Sequence, residues 1–357
     1  MEEEFCKIKP PKIDLELCTR DANMPPVDKV CSMDEDSFEK FINEWLYACC
    51  SEKYINIQRV GGAGDKGRDI IATLSDGTLD YYQCKHYDNP LSPSEFYTEF
   101  GKLCYYTWKK DFPVPRRYYI VASHDLGPTL IDLIRNKENL KNGIMHNWDQ
   151  YCKTKITRKG EIPLYNELEN YINNFDFSIV EHIPIQKIIE EHIDTIYGKI
   201  RFGGRSVKVT PVSPTEDVQK EELPYVEALL EAYSEALGTE ISSVEDLQHT
   251  KYNEHFQRQR IDYYAIETIR RFVRDTLTDD NDFECLKNEV YNGVIDTHEQ
   301  EYKNGMSRLT ADLNQAVTVN TSKSLLDSNL HLIGTKERKG TCHLLVNDKK
   351  LRWVKND

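Results

Sequence analysis

Residues 61–87 read GGAGDKGRDIIATLSDGTLDYYQCKHY. The stretch predicts a Gly-rich loop, a strand, a tight turn and a second strand. Arg68-Asp69-Ile70-Ile71 opens the first strand, and Asp76-Gly77 is a hairpin turn signal between two β-prone runs. The second strand carries Gln83, Cys84 and Lys85. Side chains alternate along a strand, so Gln83 and Lys85 point to one face and Cys84 to the other. Pairing the two strands brings Asp69 beside Gln83 and Lys85. A carboxylate, an amide oxygen and an ammonium then converge, a set that suits one hard divalent cation and one activated water.

Other readings of the same residues fit less well. Gly62, Gly64 and Gly67 formally satisfy G-x-G-x-x-G. A dinucleotide site requires a helix opening directly on the glycines, whereas a β-branched, turn-bounded run follows here. No GK[ST] is present, which excludes a P-loop. The plain alternative is an ordinary hairpin with a surface lysine.

Working outward, Asp34 to Ser37 is a helix start rich in capping residues, and the helix from Ser37 to about Cys50 carries the stripe Phe38, Phe41, Ile42, Trp45, Leu46 and Cys49. Tyr54 to Val60 reads as a short strand. Beyond Lys85, Ser94 to Lys110 is helical, Arg116 to Ser123 is a β-rich run, and Pro128 to Asn139 is one further helix. The order is α-β-β-β-α-β. A central strand at Tyr118 to Ala122 needs helices on both faces.

The pattern Asp69…Gln83-Cys84-Lys85, with its G-x-G-D-x-G-x-D lead-in from Gly62 to Asp69, resembles the Mrr-like branch of the PD-(D/E)XK nucleases. The resemblance implies a restriction-endonuclease-like fold, an α/β mixed sheet flanked by helices. It implies DNA endonuclease activity with Mg²⁺, for which Mn²⁺ can substitute. Asp69 and Gln83 would be ligands, and Lys85 would stabilise charge at phosphorus or help deprotonate water. Superfamily members place a Glu on the first helix to complete the metal site. Glu39, in a Phe-Glu pair like that of Mrr-like helices, is the first candidate, and Glu44 is the alternative. Gln in place of a second carboxylate leaves the metal stoichiometry open.

The chain has 357 residues, a formal net charge of −14 and 30% charged residues. This suits a soluble cytoplasmic protein and argues against nonspecific coating of DNA, which needs a basic surface. Phosphate contacts must then come from local basic residues: Lys66, Arg68, Arg116, Arg117, Lys155 and Arg158. No apolar run is long enough to span a bilayer, and the acidic MEEEF start lacks signal-peptide character. The ten cysteines include no C-x-x-C pair, and His331, Cys342 and His343 match no standard zinc spacing.

Four regions are expected: a Pro-punctuated arm over 1–32, the nuclease domain over 33–206, a linker over 207–222, and a mainly helical partner-docking and oligomerisation domain over 223–357. In the last, helices are predicted at Pro224–Leu237, Asn253–Thr276, Phe283–Ile295 and Glu299 to about Val317. On the long helix Ile261, Tyr264, Ala265, Thr268, Ile269 and Phe272 form the apolar face. Thr341 to Val354 alternates around Asn347-Asp348 and predicts a terminal β-hairpin. From 147 to 204 the pattern weakens, apart from a helix at Ile185–Tyr197. The run from Tyr252 to Phe272 resembles the C-terminal domains of ABC-ATPase three-component anti-phage systems. With the nuclease motif, the whole is similar to effector nucleases of Lamassu defence. That resemblance implies an SMC-like ATPase, a small third subunit and DNA as partners, with activation by release and homo-oligomerisation. A catalytically degenerate scaffold subunit of the same type of complex is the alternative.

Overall fold

The computed structural model describes residues 9–19, 24–60, 66–203 and 207–354. The chain divides into two units. One comprises Met1–Pro11 with Asn23–Phe202, and the other Lys12–Ala22 with Gly203–Asp357. The expected arm is thus split between them. Its helix α1 (Leu15–Thr19) belongs to the second unit, and α2 (Pro26–Cys31) to the first.

The first unit is built on a five-stranded sheet in the order β1 (Asn56–Arg59), β2 (Ile70–Thr73), β3 (Leu79–Lys85), β4 (Arg117–Ala122) and β5 (Val180–His182). The β1–β2 and β2–β3 pairs are antiparallel, while β3–β4 and β4–β5 are parallel. The turn between β2 and β3 forms where expected. Gly77 takes φ +81°, and the Asp76 carboxylate accepts from Thr78 N at 2.9 Å and Thr78 Oγ1 at 2.6 Å. That left-handed position suits glycine.

Two helices sandwich the sheet. Asp34 caps α3 (Glu35–Cys50) by accepting from Ser37 N at 2.6 Å. Phe38, Phe41, Ile42, Trp45 and Leu46 of α3 pack with Ile70, Ala72, Tyr82 and Cys84. Opposite, α4 (Pro93–Trp108) packs Phe96, Phe100, Leu103 and Cys104 with Tyr81, Tyr118 and Ile120. The parallel β3–β4 pair requires such a crossover helix. The element order α-β-β-β-α-β is present as expected, starting at α3.

Three expectations need correction in this unit. The helix predicted over Pro128–Asn139 is two, α5 (Pro128–Arg135) and α6 (Lys137–His146). Asn136 leaves helical geometry and caps α6 by accepting from Asn139 N at 3.1 Å. After α7 (Trp148–Tyr151) and α8 (Asn166–Asn173), the edge strand β5 was not anticipated, because three residues carry too little alternation to register. The helix expected at Ile185–Tyr197 is α9 (Ile185–His192) and α10 (Ile196–Phe202), divided where the Thr195 hydroxyl accepts from Gly198 N at 3.0 Å.

The second unit is helical: α11 (Leu223–Leu237), α12 (Asn253–Thr276), α13 (Asn281–His298), α14 (Gly305–Thr318), α15 (Leu325–Ser328) and α16 (Thr335–Asn347). The expected linker is pinned to it, with Val212 N donating to Thr268 Oγ1 at 2.9 Å. Ile13 bridges Leu277, so part of the arm is docked as well. Ile261 is exposed rather than on the core face of α12, which instead buries Phe256, Tyr263, Ile266 and Val273. The helix expected from Glu299 starts at Gly305, capped by Asn304.

The terminal β-hairpin is not there; α16 occupies its place. Residues 340–346 are all buried, and a run buried all round carries no period that separates strand from helix. The Asn347-Asp348 signal is real, but it ends a helix: Asp348 N donates to Leu344 O, and Lys349 takes φ +59°. Gly340 sets the contact with α12, since a Cβ there would lie 2.0 Å from Asp262 O. Gly340→Ala is therefore expected to destabilise this unit by about 2–3 kcal/mol, overriding the helix-propensity gain of about 1 kcal/mol. A denaturation midpoint equal to or above wild type would contradict this packing.

Candidate active site

The site is assembled by the hairpin. Asp69 N donates to Tyr82 O at 3.0 Å and Val60 N to Asp69 O at 2.8 Å, which sets Asp69 at the head of β2, beside Gln83. The Asp69 side chain is buried. Its Oδ2 accepts from Gln83 Nε2 at 2.7 Å and from Cys84 N at 2.6 Å. Because an ionised carboxylate only accepts, this contact fixes which end of the Gln83 amide is nitrogen. Gln83 Oε1 is buried with no hydrogen-bond partner among the described residues.

Lys85 lies two residues further along the same face. Its Nζ is 3.0 Å from Glu99 Oε1 on α4, and Lys102 Nζ reaches the same oxygen at 3.1 Å. Burial alone would depress the Lys85 ammonium, but the Glu99 charge and hydrogen bond outweigh it and hold it well above the usual lysine value. Glu99 shows the mirror case. Burial would raise it, but Lys85 and Lys102 hold it below the ordinary glutamate value. Cys84 faces α3, and burial followed by the Asp69 charge pushes its thiol up, so it is no nucleophile.

The structure thus brings Asp69, Gln83 and Lys85 together. Glu39 and Glu44 stand on α3, which packs on the Tyr82 and Cys84 face, away from the Gln83 and Lys85 face. Glu39 Oε2 accepts from Arg59 Nε at 2.8 Å. Glu44 is 1% exposed and forms a two-point pair with Arg201 at 2.9 and 2.6 Å. Burial would raise Glu44, but Arg201 and His192 hold it below its ordinary value.

The candidate phosphate-binding residues are scattered. Lys66 pairs with Asp111 at 2.7 Å, and the Arg68 guanidinium lies 3.9 Å from the Phe112 ring centroid, both beside the loop that leads into Asp69. Arg116 and Arg117 are at the start of β4. There Arg117 pairs with Asp80, whereas Lys85 pairs with Ala122 at the other end. Arg116 braces the fully buried Asp80, and Arg117 Nε is 2.7 Å from Glu181. Lys155 is exposed beside the Tyr151 ring, and Arg158 is exposed.

Sequence reasoning missed Glu99. The signal was present, because Glu99 stands among Phe96, Phe100 and Leu103 on the stripe that α4 buries. A charge on an apolar stripe needs a partner. Among the described residues no three His, Cys, Asp or Glu side chains form a metal-holding cluster. That includes His331, Cys342 and His343; His343 Nε2 instead meets Gln259 Oε1 at 3.1 Å.

Residues 222–353 match the family model of C-terminal domain 6 of the ABC-three component (ABC-3C) systems. The match lies in the helical unit, which carries a domain similar to that family's. No curated protein and no solved structure matches the chain. The ABC-3C domain begins at Glu222, a fully buried carboxylate. Glu222 accepts from Arg260 at 2.8 and 2.9 Å, from Tyr225 at 2.7 Å and from Tyr264 at 3.1 Å. No helix among the described residues is long and apolar enough to cross a membrane.

Proposed function

We propose that this chain is a metal-dependent DNA endonuclease, the effector of an ABC-3C defence system. In this reading the sheet unit carries the chemistry and the ABC-3C domain docks the partners. The observation that carries it is the convergence of Asp69, Gln83 and Lys85, with a buried Gln83 amide oxygen left without a partner. Native interiors seldom leave a buried acceptor unsatisfied, and a cation is one reason for such an atom. The resemblance to Mrr-like PD-(D/E)XK nucleases and the α-β-β-β-α-β order support the same reading.

Asp69 and Gln83 would hold Mg²⁺ or Mn²⁺, and Glu39 would join them only by leaving Arg59. The metal would supply Lewis acidity and a water of lowered pKa. Cys84 N and Gln83 Nε2 hold the Asp69 carboxylate in place. Lys85, kept protonated by Glu99, is suited to meet charge developing on the phosphate and poorly suited to act as a base. An acidic chain binds DNA weakly alone. Control by an SMC-like ATPase and a small third subunit, followed by release and homo-oligomerisation, would restore binding through avidity.

The engagement of Glu39 and Glu44 by arginines favours a second reading, a scaffold subunit with a degenerate site. Reconstitution separates the two. Cells carrying the complete system with wild-type chain are expected to lose an invading plasmid or resist phage. Cells with Asp69→Asn are expected to lose that protection while the complex still co-purifies. Protection that survives Asp69→Asn would overturn the nuclease reading.

A further inference from the structure

Among the described residues of the sheet unit, two buried side-chain oxygens lack a hydrogen-bond partner: Gln83 Oε1 and Glu99 Oε2. Gln83 is 2% exposed and Glu99 5%. Both belong to the same side of the sheet. Gln83 projects from β3 toward α4, and Glu99 projects from α4 to touch Lys85, the next residue of that face. Glu99 Oε2 is turned toward the entry to β2, because a Cβ built on Gly67 would lie 3.1 Å from it. Gly67 takes φ +83° and lies two residues before Asp69, whose Oδ2 holds Gln83. The backbone at Gly67 therefore passes close over the free Glu99 oxygen without a side chain to fill the space.

A buried polar oxygen left without a partner carries an uncompensated desolvation cost. An orphaned amide oxygen and an orphaned carboxylate oxygen on the same side of the sheet as Asp69 call for a common partner. Water and a cation are the two candidates, and the chemistry of the set separates them. Gln83 Oε1, Glu99 Oε2 and the Asp69 carboxylate are all acceptors, and oxygen-only sets are what hard divalent cations take. A water could donate to both orphaned oxygens, but it brings no positive charge beside the Asp69 and Glu99 carboxylates, whereas a divalent cation does.

We propose that Glu99 on α4, rather than Glu39 or Glu44 on α3, supplies the second carboxylate to the cation site. One Glu99 oxygen would hold Lys85 and the other would face the cation. This rests on the metal-dependent reading above and changes which helix completes the site. It also explains why both acids of α3 can be tied up by arginines without disabling the centre. Two carboxylates, one amide oxygen and the remaining positions left to water and substrate phosphate match the usual Mg²⁺ arrangement.

The test is Mn²⁺ binding to the full-length chain, followed by calorimetry and by electron paramagnetic resonance of free Mn²⁺. Asp69→Asn and Glu99→Gln are each expected to weaken binding at least tenfold, while Glu39→Gln stays within about twofold. Loss in Glu39→Gln with full binding in Glu99→Gln would overturn this assignment and leave the metal-dependent reading standing. Wild-type chain that takes up no Asp69-sensitive Mn²⁺ would overturn both. Should Glu99→Gln fail to fold, the wild-type chain decides. Fe²⁺ with ascorbate and peroxide is expected to cut the backbone near residues 67–69, 83–85 and 99. Cutting near residue 39 in place of 99 would contradict the proposal.

Discussion

Lys85→Met protein is expected to fold, yet to cleave DNA about 10²–10³-fold more slowly than wild type, the usual loss when one preorganised charge stabiliser is removed. The substitution keeps the unbranched stem and deletes the ammonium. Lys85 is half-buried against Glu99, so its charge is only partly screened by water. The loss should appear in the rate of the bound complex rather than in DNA affinity. A lysine held well above its ordinary value stays protonated through neutral and mildly alkaline pH. The rate between about pH 6 and 9 should therefore show no limb belonging to Lys85. Cleavage within a few-fold of wild type in Lys85→Met would remove the residue from the chemistry.

The second large effect lies in the ABC-3C domain. Arg260→Ala leaves the Glu222 carboxylate buried without its counter-charge, which costs about 3–5 kcal/mol for a pair of this kind. Hydrogen exchange of the α11 and α12 amides reads that unit by itself and should show protection falling by several orders of magnitude. The pH dependence follows from the pair. Burial would raise Glu222, but the bonds from Arg260, Gln219 N and Tyr225 hold it below its ordinary value. Its contribution is full above the unfolded glutamate pKa of about 4.3 and is lost as pH falls through the lower folded value. The stability gap between wild type and Arg260→Ala should close on acidification below about pH 4. A gap that stays constant down to pH 3 would mean that the pair does not stabilise the domain.

Much of the site was legible because it is local. Asp76-Gly77 fixes the turn, and the turn fixes the register. The register sets Asp69 beside Gln83, with Lys85 two residues on. The stripes of α3 and α4 announced the two layers over the sheet. What escaped the sequence depends on distance along the chain or on a missing period. The β5 strand is three residues long and gains its identity only by pairing with β4. Residues 340–346 are buried on all sides, so strand and helix read alike until α12 is present to receive Gly340. Asn136 breaks a helix through its capping hydrogen bond, which the apolar pattern around it does not record.

The placement of the acids is the most instructive case. Glu39 and Glu44 were legible as acids on the first long helix, but not the arginines that engage them. Arg59 is on β1, and Arg201 lies far beyond in α10. Glu99 reads as an ordinary helical glutamate unless its place on the buried stripe is weighed against its charge.

In the proposed function the Asp69, Gln83 and Lys85 face cuts DNA with a divalent cation. The most direct measurement is a supercoiled-plasmid cleavage time course at rising concentrations of purified wild-type and Asp69→Asn chain, with Mg²⁺, Mn²⁺ or chelator, alone and with the ATPase partner. Nicked and linear products are expected that need the cation, rise steeply with protein concentration and vanish in Asp69→Asn. Cleavage that is equal in both proteins, or no cleavage by wild type even with its partner, would contradict that function.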